Sequence, residues 1–105
     1  MASKKSPKKK SSHPIMDLLE VLGRRWVLRI LWELREGPLT FRGLQSAASD
    51  VSPSVLNERL AELREVGLLE LGEGGYEYTE KGRELAPLLM ELDGWARRHR
   101  FSGLS

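Results

Sequence analysis

Apolar residues recur along this chain in five runs of helical spacing and one pair of alternating strands. From Pro14, residues Ile15, Leu18, Leu19 and Leu22 fall on one face as far as Gly23, with Pro14 suited to a first turn and Gly23 to a stop. A second helix is predicted over residues 25–35, and it differs in kind. At about 100° per residue, Trp26, Val27, Leu28, Ile30, Leu31, Trp32 and Leu34 occupy most of its circumference, leaving a narrow strip of Arg25, Arg29, Glu33 and Glu36. A small domain cannot easily cover such a helix alone, so Leu28 and Trp32 on its far edge are either core or contacts with another chain. Gly37 and Pro38 end it, and Thr40 caps a short third helix with an inward stripe of Phe41, Leu44 and Ala48.

Residues 49–52 form a turn, and Ser52 followed by Pro53 opens a fourth helix. A proline there gives up an N–H that has no partner anyway, and the serine hydroxyl accepts from an orphan donor. Leu56, Leu60 and Leu63 make its inner line, and Gly67 is the left-handed stop. Leu69 and Leu71 then alternate with Glu70, and Tyr76 and Tyr78 with Glu77, on either side of residues 72–75, which reads as a hairpin. Thr79 caps a last helix with one stripe of Leu85, Leu88, Leu89, Leu92 and Trp95, running to about Arg100 with a kink expected at Pro87.

At 105 residues the chain has the size of one domain. The absence of cysteine excludes a disulfide framework, thiolate zinc sites and thiol redox switching by this chain. No apolar stretch follows the first lysines, and none elsewhere approaches the roughly 20 residues that span a bilayer, so a soluble cytoplasmic protein is expected, with no membrane partner. The net charge of +2 hides an asymmetry: with Lys4, Lys5, Lys8, Lys9 and Lys10 set aside, the remainder carries an acidic excess. Residues 1–12 are expected to be a disordered basic tail, either a solvated extension or a phosphate-binding arm. Residues 13–101 form the folded domain, and 102–105 a flexible end. An enzyme is not expected, because the two histidines, His13 and His99, sit at opposite ends and no carboxylate pair comes with a supporting constellation. Neither a cofactor nor a metal site is indicated.

Helix, helix, short helix, turn, capped helix, hairpin, long helix is the order of a mainly α winged helix-turn-helix domain, in which one helix braces the next against the major groove. The pairing of Gly23 with Trp26, the stretch from Phe41 to Leu44, "VSPSVLNERLAELREVGLL", "YTEKG", and the late Pro87 and Trp95 together resemble the HxlR-type regulators of bacteria and archaea over residues 13 to about 100. The resemblance implies a homodimeric transcription regulator on an inverted-repeat operator, associated with the nucleoid. Its first and last helices would build the dimer interface, for which Ile15, Leu18, Leu19, Leu28, Trp32, Leu88, Leu92 and Trp95 are the candidates, and helix 53–66 would enter the major groove of double-stranded DNA. An unidentified small-molecule effector between the dimer helices is a further candidate partner.

With Leu56 pointing inward, Ser54, Asn57, Glu58 and Ala61 point outward. Asn57 suits adenine, Glu58 the cytosine amino group, and Ser54 is permissive. Thr40, Arg42, Ser52, Arg64 and the tail residues Lys8, Lys9 and Lys10 are candidate phosphate contacts; Arg59 suits a phosphate or an ion pair. The chain departs from the family in three places. Where relatives carry a cysteine before the first helix it has Ser11, Ser12, His13, Pro14, so thiol sensing is excluded. Its wing holds Glu70, Glu73 and Glu77 and no cation, and position 54 is Ser where a basic residue is common. These departures motivate the alternative, a winged-helix dimer that serves as a protein-interaction module.

Overall fold

The computed structural model describes residues 13–101 as helices α1 (Pro14–Leu22), α2 (Val27–Glu33), α3 (Phe41–Ala47) and α4 (Pro53–Glu65), strands β1 (Leu69–Gly72) and β2 (Gly75–Tyr78), and helix α5 (Glu80–Arg98). The order is the one read from the sequence, five helices and a two-stranded antiparallel hairpin. The expected tail 1–12 and end 102–105 lie outside the described residues.

Around α2 the apolar residues close a single core. Val27, Ile30, Leu31 and Leu34 are buried there with Leu44 and Ala48 of the α3 segment, Leu56, Leu60 and Leu63 of α4, and Leu68, Leu69 and Tyr78 of the hairpin region. Burying each leucine of α4 is worth about 1.5–3 kcal/mol, enough to fix which side of that helix faces out. The second helix is shorter than expected at both ends. Trp26 stands outside it in the left-handed region (φ 79°), and the helix closes at Leu34 rather than Arg35. A bulky aromatic residue in that region costs about 1–3 kcal/mol and persists only where its surroundings hold it. Here the half-buried ring packs against the core, with the Arg25 guanidinium 5.9 Å from its centre.

The hairpin turns through Glu73 and Gly74 and pairs Leu69 with Tyr78, Glu70 with Glu77, Leu71 with Tyr76 and Gly72 with Gly75. One outer edge is covered by Leu39, which exchanges both backbone bonds with Tyr76 (2.8 and 3.1 Å). Gly75, at φ 123°, passes so close that a side chain there would strike the Leu39 carbonyl. The Glu70–Glu77 pairing sets two like charges opposite each other, an arrangement that weakens a sheet.

Thr79 caps α5 by accepting from the Gly82 N–H (3.0 Å) and donates its own proton to the Gly67 carbonyl. Gly82 is buried, and a Cβ on it would overlap the Leu68 carbonyl and the Tyr78 ring. The helix runs on through Pro87 as one element and ends at Arg98, two residues before the expected end. Its apolar stripe, expected to be continuous, divides in two. Leu85, Ala86 and Leu89 pack on the core, whereas Leu88, Leu92 and Trp95 remain 59%, 62% and 45% exposed. Among the described residues no helix is long and apolar enough to cross a membrane.

Tyr78 ties the hairpin to the core by donating its buried hydroxyl to the Leu31 carbonyl. Burial holds this phenol above its ordinary value of 10.0, partly opposed by the charge of Arg35. Because the folded state keeps the proton to higher pH than the unfolded chain, this contribution is complete below about pH 10 and is lost as pH rises through the raised value. Tyr78→Phe should therefore cost about 1 kcal/mol at neutral pH, and the variant's denaturation midpoint should fall less steeply than wild type above pH 10.

Candidate nucleic-acid interface

α3 and α4 meet through a turn that is held from three sides. Ser49 and Asp50 both take left-handed backbone (φ 61° and 58°), a costly pair for residues with side chains. The Asp50 N–H donates to the Gln45 carbonyl (2.8 Å), and the Gln45 amide reaches forward to the Val51 carbonyl (2.9 Å). From α2, Arg29 Nη2 donates to the Ala47 carbonyl at 2.9 Å and lies 3.4 Å from Ser49 Oγ, so a cation closes the C-terminal end of α3. Glu33 orients that arginine through its Nε at 2.8 Å.

The two caps expected from the sequence are formed. Thr40 Oγ1 accepts from the Gly43 N–H at 3.0 Å, and Ser52 Oγ from the Val55 N–H at 3.3 Å. Each hydroxyl thus keeps its own proton to donate outward. With Leu56, Leu60 and Leu63 buried, α4 presents Ser54, Asn57, Glu58 and Ala61 to solvent, as its periodicity predicted. Ser54 and Asn57 make no side-chain contact with another polar group among the described residues.

Of the cations expected on this face, Arg42 and Arg64 are exposed and unpaired. Arg59 is different. Its Nε donates to the Arg25 carbonyl (2.9 Å), and its Nη1 lies 3.2 Å from Glu62 and 3.4 Å from Glu58. Of the two roles open to it from sequence, it takes the ion pair, with the side chain only 19% exposed. Lys8, Lys9 and Lys10 lie outside the described residues. Lys81 was missed by the sequence reading: its amine stands 3.3 Å from where a Cβ on Gly67 would lie, at the end of α4. The signal was its place in the "YTEKG" stretch, directly after a cap that returns the chain to Gly67. The wing brings Glu70, Glu73 and Glu77, none paired with a cation among the described residues.

A second surface is apolar. Ile15, Met16 and Leu19 of α1, Leu28 of α2, and Leu88, Leu92 and Trp95 of α5 are exposed, more apolar residues together than a monomer ordinarily leaves in water. Trp32 is half-buried, lies 4.2 Å from the Arg35 guanidinium, and lines an open groove with Leu28, Leu89 and Leu92. Leu18, expected at an interface, instead packs on the chain's own core, because the α1 face that carries it is turned inward.

Residues 21–102 match the family model for HxlR-like helix-turn-helix proteins. The chain is 34% identical over 85 residues to YvaP of Bacillus subtilis, an uncharacterized HTH-type transcriptional regulator, covering 74% of this chain and 79% of that one. The crystal structure of quinone-bound YodB from the same organism aligns with a TM-score of 0.74 at 32% identity, covering 82% of this chain and 99% of that one. A possible HxlR family transcriptional factor from Thermoplasma volcanium aligns with a TM-score of 0.72 at 26% identity, over 86% of this chain and 87% of its own.

The polar residues at the start of α4 separate into those that support the fold and those that do not. Ser52→Ala should lower stability by about 1 kcal/mol through loss of the cap, whereas Ser54→Ala and Asn57→Ala should stay within about 0.5 kcal/mol of wild type, as read from urea midpoints.

Proposed function

Since the chain belongs to the HxlR-like helix-turn-helix family, whose members are transcription regulators and not enzymes, we propose that it binds DNA as a homodimer. One α4 from each subunit enters the major groove of an inverted-repeat operator, with half-sites about one helical turn apart. The observation that carries this reading is the outward face of α4, where Ser54 and Asn57, within its first turns, have no partner in the fold. Asn57 pairs with the N6 and N7 groups of adenine, Glu58 accepts from the cytosine amino group, and Ser54 adapts to either. Arg42, Arg64 and Lys81 contact phosphates, joined by the hydroxyl protons of Thr40 and Ser52 and by Lys8, Lys9 and Lys10 of the tail. Such a protein works in the cytoplasm, on the nucleoid. The exposed apolar residues of α1 and α5 close the dimer, and the groove beside Trp32 is where a small-molecule effector would enter.

A second reading, a dimer that binds another protein, is favoured by the wing, whose three carboxylates and exposed Leu71 suit a basic partner better than a minor groove. Selection from a pool of random duplexes separates the two. Under the DNA reading one inverted sequence is enriched at low salt. Asn57→Ala then loses preference at one position by about 1–3 kcal/mol, while Arg64→Gln weakens all duplexes alike and lowers the salt slope by about 0.9. Removal of residues 1–12 flattens that slope further. No enriched sequence, with Asn57→Ala and Arg64→Gln unchanged, would defeat the DNA reading. Leu92→Asp should shift the sedimenting species from dimer to monomer.

A further inference from the structure

We propose that Arg59 is a positioning residue that locks the joint between α1 and α2 and so sets the separation of the two α4 helices in the dimer, rather than touching a phosphate itself; the proposal rests on the DNA reading above. From α4, Arg59 and Glu62 grip two successive residues of that joint. Arg59 Nε holds the Arg25 carbonyl at 2.9 Å, and Glu62 Oε2 lies 3.2 Å from Arg59 Nη1 and 3.6 Å from Arg24 Nη1. The other carboxylate oxygen of Glu62 is buried without a partner, so the side chain is committed to this pair of arginines.

The next residue gives the grip its leverage. The Arg25 carbonyl and the Trp26 nitrogen belong to one rigid peptide plane, and rotation about the Trp26 N–Cα bond swings that plane. Pinning the oxygen therefore pins φ of Trp26, the left-handed 79° that no side-chain cap supports. Relaxation of this dihedral to the right-handed region would redirect α1 relative to α2, and with it the exposed Ile15, Met16 and Leu19. A dimer that meets its partner through α1 carries its two reading helices at a separation set by this joint. Half-site spacing on DNA must match that separation.

The test uses the full chain, the duplex enriched by wild type from the random pool, and versions of it with the half-sites moved apart or together by one and two base pairs. Wild type should lose about tenfold or more for each altered spacing. Arg59→Gln should lose about tenfold on the parent duplex yet bind all spacings within about threefold of one another, with base preference inside the half-site and the salt slope both unchanged. Arg59→Lys, which keeps one donor, should fall between the two, and it serves in place of Arg59→Gln if that variant does not fold. A salt slope lowered by about 0.9 with every duplex weakened alike would make Arg59 a phosphate contact and overturn the proposal. So would wild-type behaviour in both variants. If wild type enriches no duplex, the DNA reading fails on its own, and the lock is judged by amide exchange at Val27, which is bonded to the Arg24 carbonyl at 3.1 Å. Faster exchange in Arg59→Gln supports the lock, and unchanged exchange overturns it.

Discussion

Burial of α2 is the constraint on which the rest of this structure depends. Four of its residues and its C-cap region, Val27, Ile30, Leu31 and Leu34, have almost no contact with solvent in a chain of 105 residues. Covering one short helix so completely requires every other element to be placed around it. The side chains that cross between elements follow from this demand. Tyr78 reaches the Leu31 carbonyl, Arg29 reaches back from α2 to the end of α3, and Arg59 reaches the residue before Trp26. Each supplies a partner to a backbone carbonyl at the edge of the buried helix, where an unmet acceptor would cost about 1–3 kcal/mol.

Local rules carried the reading of the sequence a long way. The leucine line of α4, the caps at Thr40, Ser52 and Thr79, and the hairpin alternation all depend on residues within a few positions of one another, and all three caps form as expected. What was not legible depends on long separations. Arg59 and the Arg25 carbonyl are 34 positions apart, and a helical periodicity places Arg59 on a flank without saying which neighbour that flank will meet. The left-handed Trp26 was hidden for the same reason, since an aromatic at that spacing reads as a helical residue until the joint around it is seen. The stripe of α5 reads as one face, yet the helix outruns its core, so Leu85 and Leu89 are covered while Leu88 and Leu92 are not. Candidate base-reading residues were easier, because their positions follow from α4 alone.

The charge balance acquires a direction once the chain is folded. Unpaired cations at Arg42, Arg64 and Lys81 belong to α3, α4 and the start of α5, whereas Glu70, Glu73 and Glu77 gather on the hairpin beside them. A polyanion meets attraction on one part of this surface and repulsion on the next, so the wing restricts the orientations of approach where related folds use it to hold on. The opposed Glu70 and Glu77 lose some strand stability for this arrangement, which the Leu39 bridge and the buried Tyr78 offset.

Gly82 has a consequence for mechanics. With no side chain between them, α5 and the hairpin meet at backbone distance, and the contact lies within the first turn of a 19-residue helix. The helix is therefore hinged near one end and carries its exposed apolar residues near the other, Trp95 lying about 20 Å along the axis from Gly82 at 1.5 Å per residue. It is a lever with its fulcrum against the wing. A tilt of about three degrees at Gly82 moves Trp95 by about 1 Å over that arm, comparable to the tolerance of a packed contact. The smallest side chain in the protein thus governs the largest displacement its longest helix can make.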